Sequence, residues 1–187
     1  MKYFLTFCLF LPLLIGCQDD PEPVIQLLVN GDMETGAASP NSWWNREQTV
    51  YSTEWTTEEA SKGSKSLKIS ASQTDPINFA FWAQTFSGSI PVEKNVVLSV
   101  SVKGKDLTGQ GVSIVIRGDA ESSPGGPAEQ GSTTQGTTNI TGTFDWTTYT
   151  VRLTGIERDI KSLTIYLILL PNSTGEVYFD EASLIVE

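Results

Sequence analysis

The sequence contains no histidine, and its only two cysteines, Cys8 and Cys17, fall within the first 17 of 187 residues. Without an imidazole there is no Ser-His-Asp or Cys-His catalysis and no histidine-ligated zinc. Basic residues are scarce as well: 12 Lys and Arg stand against 22 Asp and Glu, a formal net charge of −10. That balance argues against nucleic acid and against anionic membrane surfaces, and it is compatible with neutral partners and with calcium. No phosphate-binding loop is present, because Gly109-Gln110-Gly111 and Gly125-Gly126 lack the strand–helix context and the Lys-Ser/Thr ending that such loops require. A glycosidase needs only two carboxylates, yet no acid here sits in a catalytic motif. The chain therefore reads as non-enzymatic.

What is there begins with an apolar leader. Lys2 supplies a positive end, and Phe4 to Ile15 is apolar apart from the interruptions at Thr6 and Pro12. This is about the length of a secretory h-region and too short for a membrane span. Leu14-Ile15-Gly16-Cys17 resembles the bacterial lipobox, which implies cleavage after residue 16 and lipidation of Cys17. Acyl chains on Cys17 would anchor the protein, each buried methylene contributing about 0.8 kcal/mol. Gln18-Asp19-Asp20-Pro21-Glu22-Pro23 follows, an acidic, proline-bearing stretch expected to act as a tether over residues 17–25. Its position resembles the surface-export signal of Bacteroidetes lipoproteins, implying an outer-membrane protein facing the medium. Cleavage removes Lys2 and no acid, taking −10 to −11, and leaves a chain with no free thiol for a disulfide, a zinc site or a nucleophile.

The remaining chain, residues 26–187, is long enough for one domain with a real core. Helical periodicity is absent over any useful length, while β-branched and aromatic residues alternate with polar ones. Strands are predicted at Gln26–Val29, Ser66–Ser70, Asn78–Phe86, Val96–Lys103, Val112–Arg117, Trp146–Leu153, Ser162–Leu169 and Glu176–Ile185, separated by Gly-, Ser- and Asn-bearing turns. Short strands at this spacing predict an all-β sandwich and not a βαβ sheet. Gly118–Gly142 is rich in Gly, Ser, Thr, Gln and Pro, and reads as a long loop on a binding rim or a mobile insertion.

Along Phe79-Ala80-Phe81-Trp82-Ala83-Gln84, side chains alternate between faces, so Trp82 and Gln84 share one face and Phe79 and Phe81 the other. If the phenylalanines are core, Trp82 and Gln84 lie on the concave sheet, where an indole suits the apolar face of a pyranose and an amide can bond its hydroxyls. The reverse assignment puts Trp82 inside. Arg117, ending its strand, can add a donor fork on the same surface.

Seven motifs occur in a characteristic order: Leu28-Val29-Asn30-Gly31-Asp32-Met33-Glu34; Pro40-Asn41-Ser42-Trp43; Lys62-Gly63-Ser64-Lys65-Ser66-Leu67-Lys68-Ile69; Gln84-Thr85-Phe86; Leu98-Ser99-Val100-Ser101-Val102-Lys103-Gly104; Gly142-Thr143-Phe144-Asp145-Trp146-Thr147-Thr148-Tyr149; and Val177-Tyr178-Phe179-Asp180-Glu181-Ala182-Ser183-Leu184. Together they resemble the family 4 and 9 type carbohydrate-binding modules, among the galactose-binding-like jelly rolls. The resemblance implies a jelly-roll β-sandwich that holds a polysaccharide or oligosaccharide without transforming it, near other surface proteins of glycan uptake. The other reading is a structural or adhesive jelly roll that contacts another protein and binds no sugar. The resemblance also implies a structural Ca²⁺ ligated by Asp32 (carbonyl), Glu34, Glu59, Lys62 (carbonyl) and Asp180, which would relieve the repulsion among their carboxylates. It places Trp146 in the core. One of Trp43 and Trp44 is expected to pack beside the opening strand, leaving the other exposed.

Overall fold

A computed structural model describes residues 24–121 and 124–187. The leader, Cys17 and most of the tether lie outside the described residues. Ten strands follow in chain order: β1 (Trp44–Arg46), β2 (Tyr51–Thr56), β3 (Ser66–Ala71), β4 (Ala80–Phe86), β5 (Val96–Leu107), β6 (Val112–Asp119), β7 (Gln130–Thr133), β8 (Gly142–Leu153), β9 (Ser162–Leu169) and β10 (Gly175–Val186). They form two five-stranded antiparallel sheets, ordered β1-β4-β9-β6-β7 and β2-β3-β10-β5-β8. Among the described residues there is no helix. The architecture is an all-β jelly-roll sandwich.

Period-2 alternation builds the core. In β9, Leu163, Ile165, Leu167 and Leu169 are fully buried between the sheets, while Thr164, Tyr166 and Ile168 point to the opposite face. Ile114 and Ile116 of β6 lie on the same inner face, and Leu67, Ile69, Leu98, Val177 and Phe179 meet them from the second sheet. With each large aliphatic buried there contributing about 1.5–3 kcal/mol, this layer is the main stabilising element.

The opening segment extends the second sheet. Leu27 donates to the Leu184 carbonyl at 2.8 Å, and Ala182 donates to that of Gly31 at 2.8 Å. It takes over beside β10 where β3 stops, at an irregularity between Asp180 and Ser183. The strand predicted over Gln26–Val29 is reduced to one bridge, Gln26 with Ile185. Side-chain amides replace the missing ladder bonds: Gln26 Oε1 accepts from Leu28 and Leu184, and Gln84 bonds both Val29 backbone groups.

Two further expectations are corrected. Gly118–Gly142 is not loop throughout, because β7 pairs with β6 from Val115↔Thr133 to Gly118↔Gln130. Its sequence, Gln-Gly-Ser-Thr, carries no apolar alternation that would reveal a strand. Trp146 is only half-buried and stands outside the core. It lies on edge strand β8, where pairing slips between Val102↔Thr147 and Gly104↔Phe144, and the resulting bulge carries it away from the inner layer.

Candidate functional site

The outer face of the β1-β4-β9-β6-β7 sheet is built in rows fixed by register. Trp44 sits opposite Ala83, Ala83 opposite Tyr166, Tyr166 opposite Val115 and Val115 opposite Thr133, so one row crosses all five strands. A neighbouring row runs Arg46, Phe81, Ile168, Ser113. On the other side run Thr85, Thr164 and Arg117. Around these rows lies an open cleft of about 650 Å³, with Pro124 and Ala128 contributing to its lining from the β6–β7 connection.

Its centre is aromatic. Phe81 packs edge-on against Trp44 and against Tyr166, each with ring centroids 5.1 Å apart, and Trp44 meets Tyr166 at 6.0 Å. Phe79 tilts against Phe81 at 6.1 Å. Trp44 stays 40 % exposed although it touches both rings, so an indole face remains available. Burial holds the Tyr166 phenol above its ordinary pKa, and it remains a neutral donor and acceptor at physiological pH.

Arg117 lines this cleft, on the face opposite the inward Trp82 and Gln84 with which it was expected to share a surface, and its fork is largely committed. Nε lies 2.9 Å from both Asp119 carboxylate oxygens, and Nη2 donates to Asp119 Oδ1 and to the Gly126 carbonyl, each at 2.6 Å. Asp119 is buried, and its bond raises the Arg117 pKa further. Arg117 thereby ties the β6–β7 connection to the cleft wall.

The placement of Trp82 and Gln84 on this cleft is corrected. Trp82 is 3 % exposed and points inward, donating from Nε1 to the Lys68 carbonyl of the opposite sheet at 3.1 Å. Gln84 also faces inward, where its amide accepts from Val29 at 2.7 Å and donates to the Val29 carbonyl at 2.8 Å. The inward amide serves as a surrogate strand partner for the opening segment, which is why a polar residue occupies a core-facing position. The cleft aromatics are consequently those on the reverse face of the same strand, Phe81 and its neighbour Phe79, joined by Trp44 and Tyr166. Tyr166 had a readable signal, being the one large polar-tipped ring among the aliphatics of β9.

The motifs expected to bind calcium do meet at one place, the turn over residues 61–65. Asp180 Oδ2 accepts from the backbone N–H groups of Ser61 and Lys62 at 2.7 and 3.0 Å, and its Oδ1 accepts from that of Glu181. Glu34 accepts from the Ser64 and Lys65 N–H groups, both at 2.8 Å, and from the Ser64 hydroxyl. Glu59 pairs with Lys103 at 3.0 Å, and the Lys62 ammonium, as distinct from the carbonyl expected as a ligand, pairs with Glu181. Among the described residues no three acidic side chains converge to hold a metal. The Glu34 and Asp180 carboxylates instead accept backbone N–H donors of the turn, which gives them partners without a cation. Those donors hold the Glu34 carboxyl below its usual range, whereas burial outweighs them at Asp180 and raises its pKa.

No protein-family model matches the chain, and no curated protein matches it. Solved structures are similar to it. The Stig cyclase Fisc from Fischerella sp. TAU, in complex with an indole ligand, is 16 % identical with a TM-score of 0.64, over 88 % of this chain and 98 % of that one. The module TmCBM61 in complex with β-1,4-galactotriose is 17 % identical with a TM-score of 0.56, over 87 % of this chain and 99 % of that one. The CBM22-1 xylan-binding domain from Paenibacillus barcinonensis Xyn10C is 17 % identical with a TM-score of 0.55, over 87 % and 95 %. At these identities the likeness shows the fold, a sandwich shared by carbohydrate-binding modules and by cyclases.

Proposed function

We propose that this chain is a lipid-anchored surface protein whose sandwich holds a glycan, without transforming it, in the cleft of the β1-β4-β9-β6-β7 sheet. The observation that carries this reading is the Trp44–Phe81–Tyr166 cluster, an exposed indole braced by two rings and bordered by hydroxyls such as Thr133. A sugar ring stacked on Trp44 and burying roughly 50–100 Å² gains about 1–2.5 kcal/mol before ordering costs, at ~25 cal/mol per Å². The fold likeness to modules solved with galactotriose or described as xylan-binding supports the same class of ligand. The residues lining the cleft include no Asp or Glu, which supports binding over acid–base hydrolysis. An adhesive surface contacting protein alone is less well matched by an aromatic cleft than by a filled or aliphatic one.

Cys17 supplies the anchor in this reading, residues 18–25 the tether, and the outer membrane the location, close to other proteins of glycan uptake. The test is electrophoresis of the full-length protein through gels containing xylan, β-1,4-galactan or an acidic polysaccharide. Retardation by at least one polymer is expected. Unchanged mobility in all of them contradicts glycan binding.

A further inference from the structure

The chain carries 22 acidic side chains against 12 basic ones, yet the cleft lining contains two arginines and no acid. Three of the four arginines are neutralised: Arg117 by Asp119, Arg152 by Glu187 and Arg158 by Glu93. Arg46, among the described residues, has no carboxylate partner, and it is the one that stands at the cleft beside Phe81 and Trp44. The Gln48 amide, with its oxygen toward the guanidinium, accepts from Nε at 2.7 Å and Nη2 at 2.9 Å. The neutral amide takes the Nε–Nη2 edge without cancelling the charge and leaves the Nη1–Nη2 end of the guanidinium for a ligand. In a protein with so many acids, an uncompensated and oriented arginine beside an aromatic platform is a recognition element for an anion, because the planar fork matches an acid group by two parallel bonds.

Resting on the glycan-binding reading, we propose that the cleft selects an anionic sugar. The ring stacks on the Trp44–Phe81–Tyr166 cluster, and its carboxylate or sulfate meets Arg46. Arg117 contributes shape and little charge, since Asp119 compensates it.

The test compares retention of the full-length protein in gels of polygalacturonate against its carboxyl-reduced galactan, and of a sulfated galactan against its desulfated form. At least one acidic polymer is expected to bind about five- to tenfold more tightly than its neutral counterpart, with Arg46→Gln collapsing that ratio toward one. Arg46→Lys, which keeps the charge and loses the fork, should fall between. Which acidic polymer is preferred identifies the acid group. Equal binding of acidic and neutral forms, or an acidic preference that survives Arg46→Gln, overturns the proposal while leaving glycan binding standing. Binding confined to xylan or β-1,4-galactan overturns the proposal alone, and absence of binding to these as well as to the acidic pairs overturns both.

Discussion

Trp44 and Trp82 stand almost opposite each other, on paired strands whose register joins Asn45 to Trp82 and Trp44 to Ala83, yet they face opposite sides of one sheet. Trp82 fills the interior and bonds the Lys68 carbonyl, so Trp82→Ala should destabilise the fold by about 3–5 kcal/mol, read by chemical denaturation. Trp44→Ala removes a half-exposed ring from a three-residue edge strand and should cost less than about 1 kcal/mol. A Trp44→Ala variant as unstable as Trp82→Ala would reverse this assignment of faces. Alternation in the sequence separated Trp82 and Gln84 from Phe79 and Phe81 correctly. It did not decide which pair faced in, because the deciding contacts are non-local: Lys68 lies 14 residues from Trp82 and Val29 lies 55 from Gln84. A buried glutamine that bonds a distant backbone looks, in sequence, like a surface polar residue.

At the scale of elements, the turn over residues 61–65 is gripped from both sides by carboxylates distant in sequence. Asp180 comes from the irregularity in β10 and Glu34 from the opening segment. Gly63 completes the grip, since its φ of +65° suits glycine and a Cβ there would strike the Glu34 carboxylate. Asp180→Ala leaves three backbone N–H groups without their acceptor and should lower stability by about 3 kcal/mol or more. EDTA should leave the wild-type Tm unchanged. A fall on chelation that added Ca²⁺ reverses would instead reveal a metal staple at this turn. The pH dependence follows from the same bonds. Glu34 is held below its ordinary value of 4.5, so its contribution is present above that pH and is lost as the pH falls through and below it. Denaturation midpoints between about pH 6 and pH 3 should therefore decline, and Glu34→Gln should flatten part of the decline. An equal decline in the variant would remove Glu34 from the account. The meeting of opening, turn and closing motifs was legible in the sequence. The groups filling the junction were not, because motif spacing places carboxylates without showing that backbone N–H groups already satisfy them.

For the whole molecule, composition and alternation were enough to read an all-β sandwich, and eight strand predictions map onto seven strands and one bridge. The strands that escaped, β1, β2 and β7, are short, exposed or polar and form sheet edges, where packing imposes little pattern on the residues. Two of these, β1 and β7, frame the cleft, so the site is built partly from the least legible pieces of the chain. The proposed anchor lies outside the sandwich. Cys17→Ala should abolish incorporation of a palmitate analogue in cells, and labelling that persists would place the lipid elsewhere. The central claim is that the outer face of the β1-β4-β9-β6-β7 sheet holds a glycan. It is tested most directly by comparing the full-length wild type with Trp44→Ala, at matched Tm, for affinity toward the polysaccharide that retards the wild type. Loss of the stacked indole should weaken binding about tenfold or more, whereas an undiminished affinity in Trp44→Ala would contradict the assignment of the site.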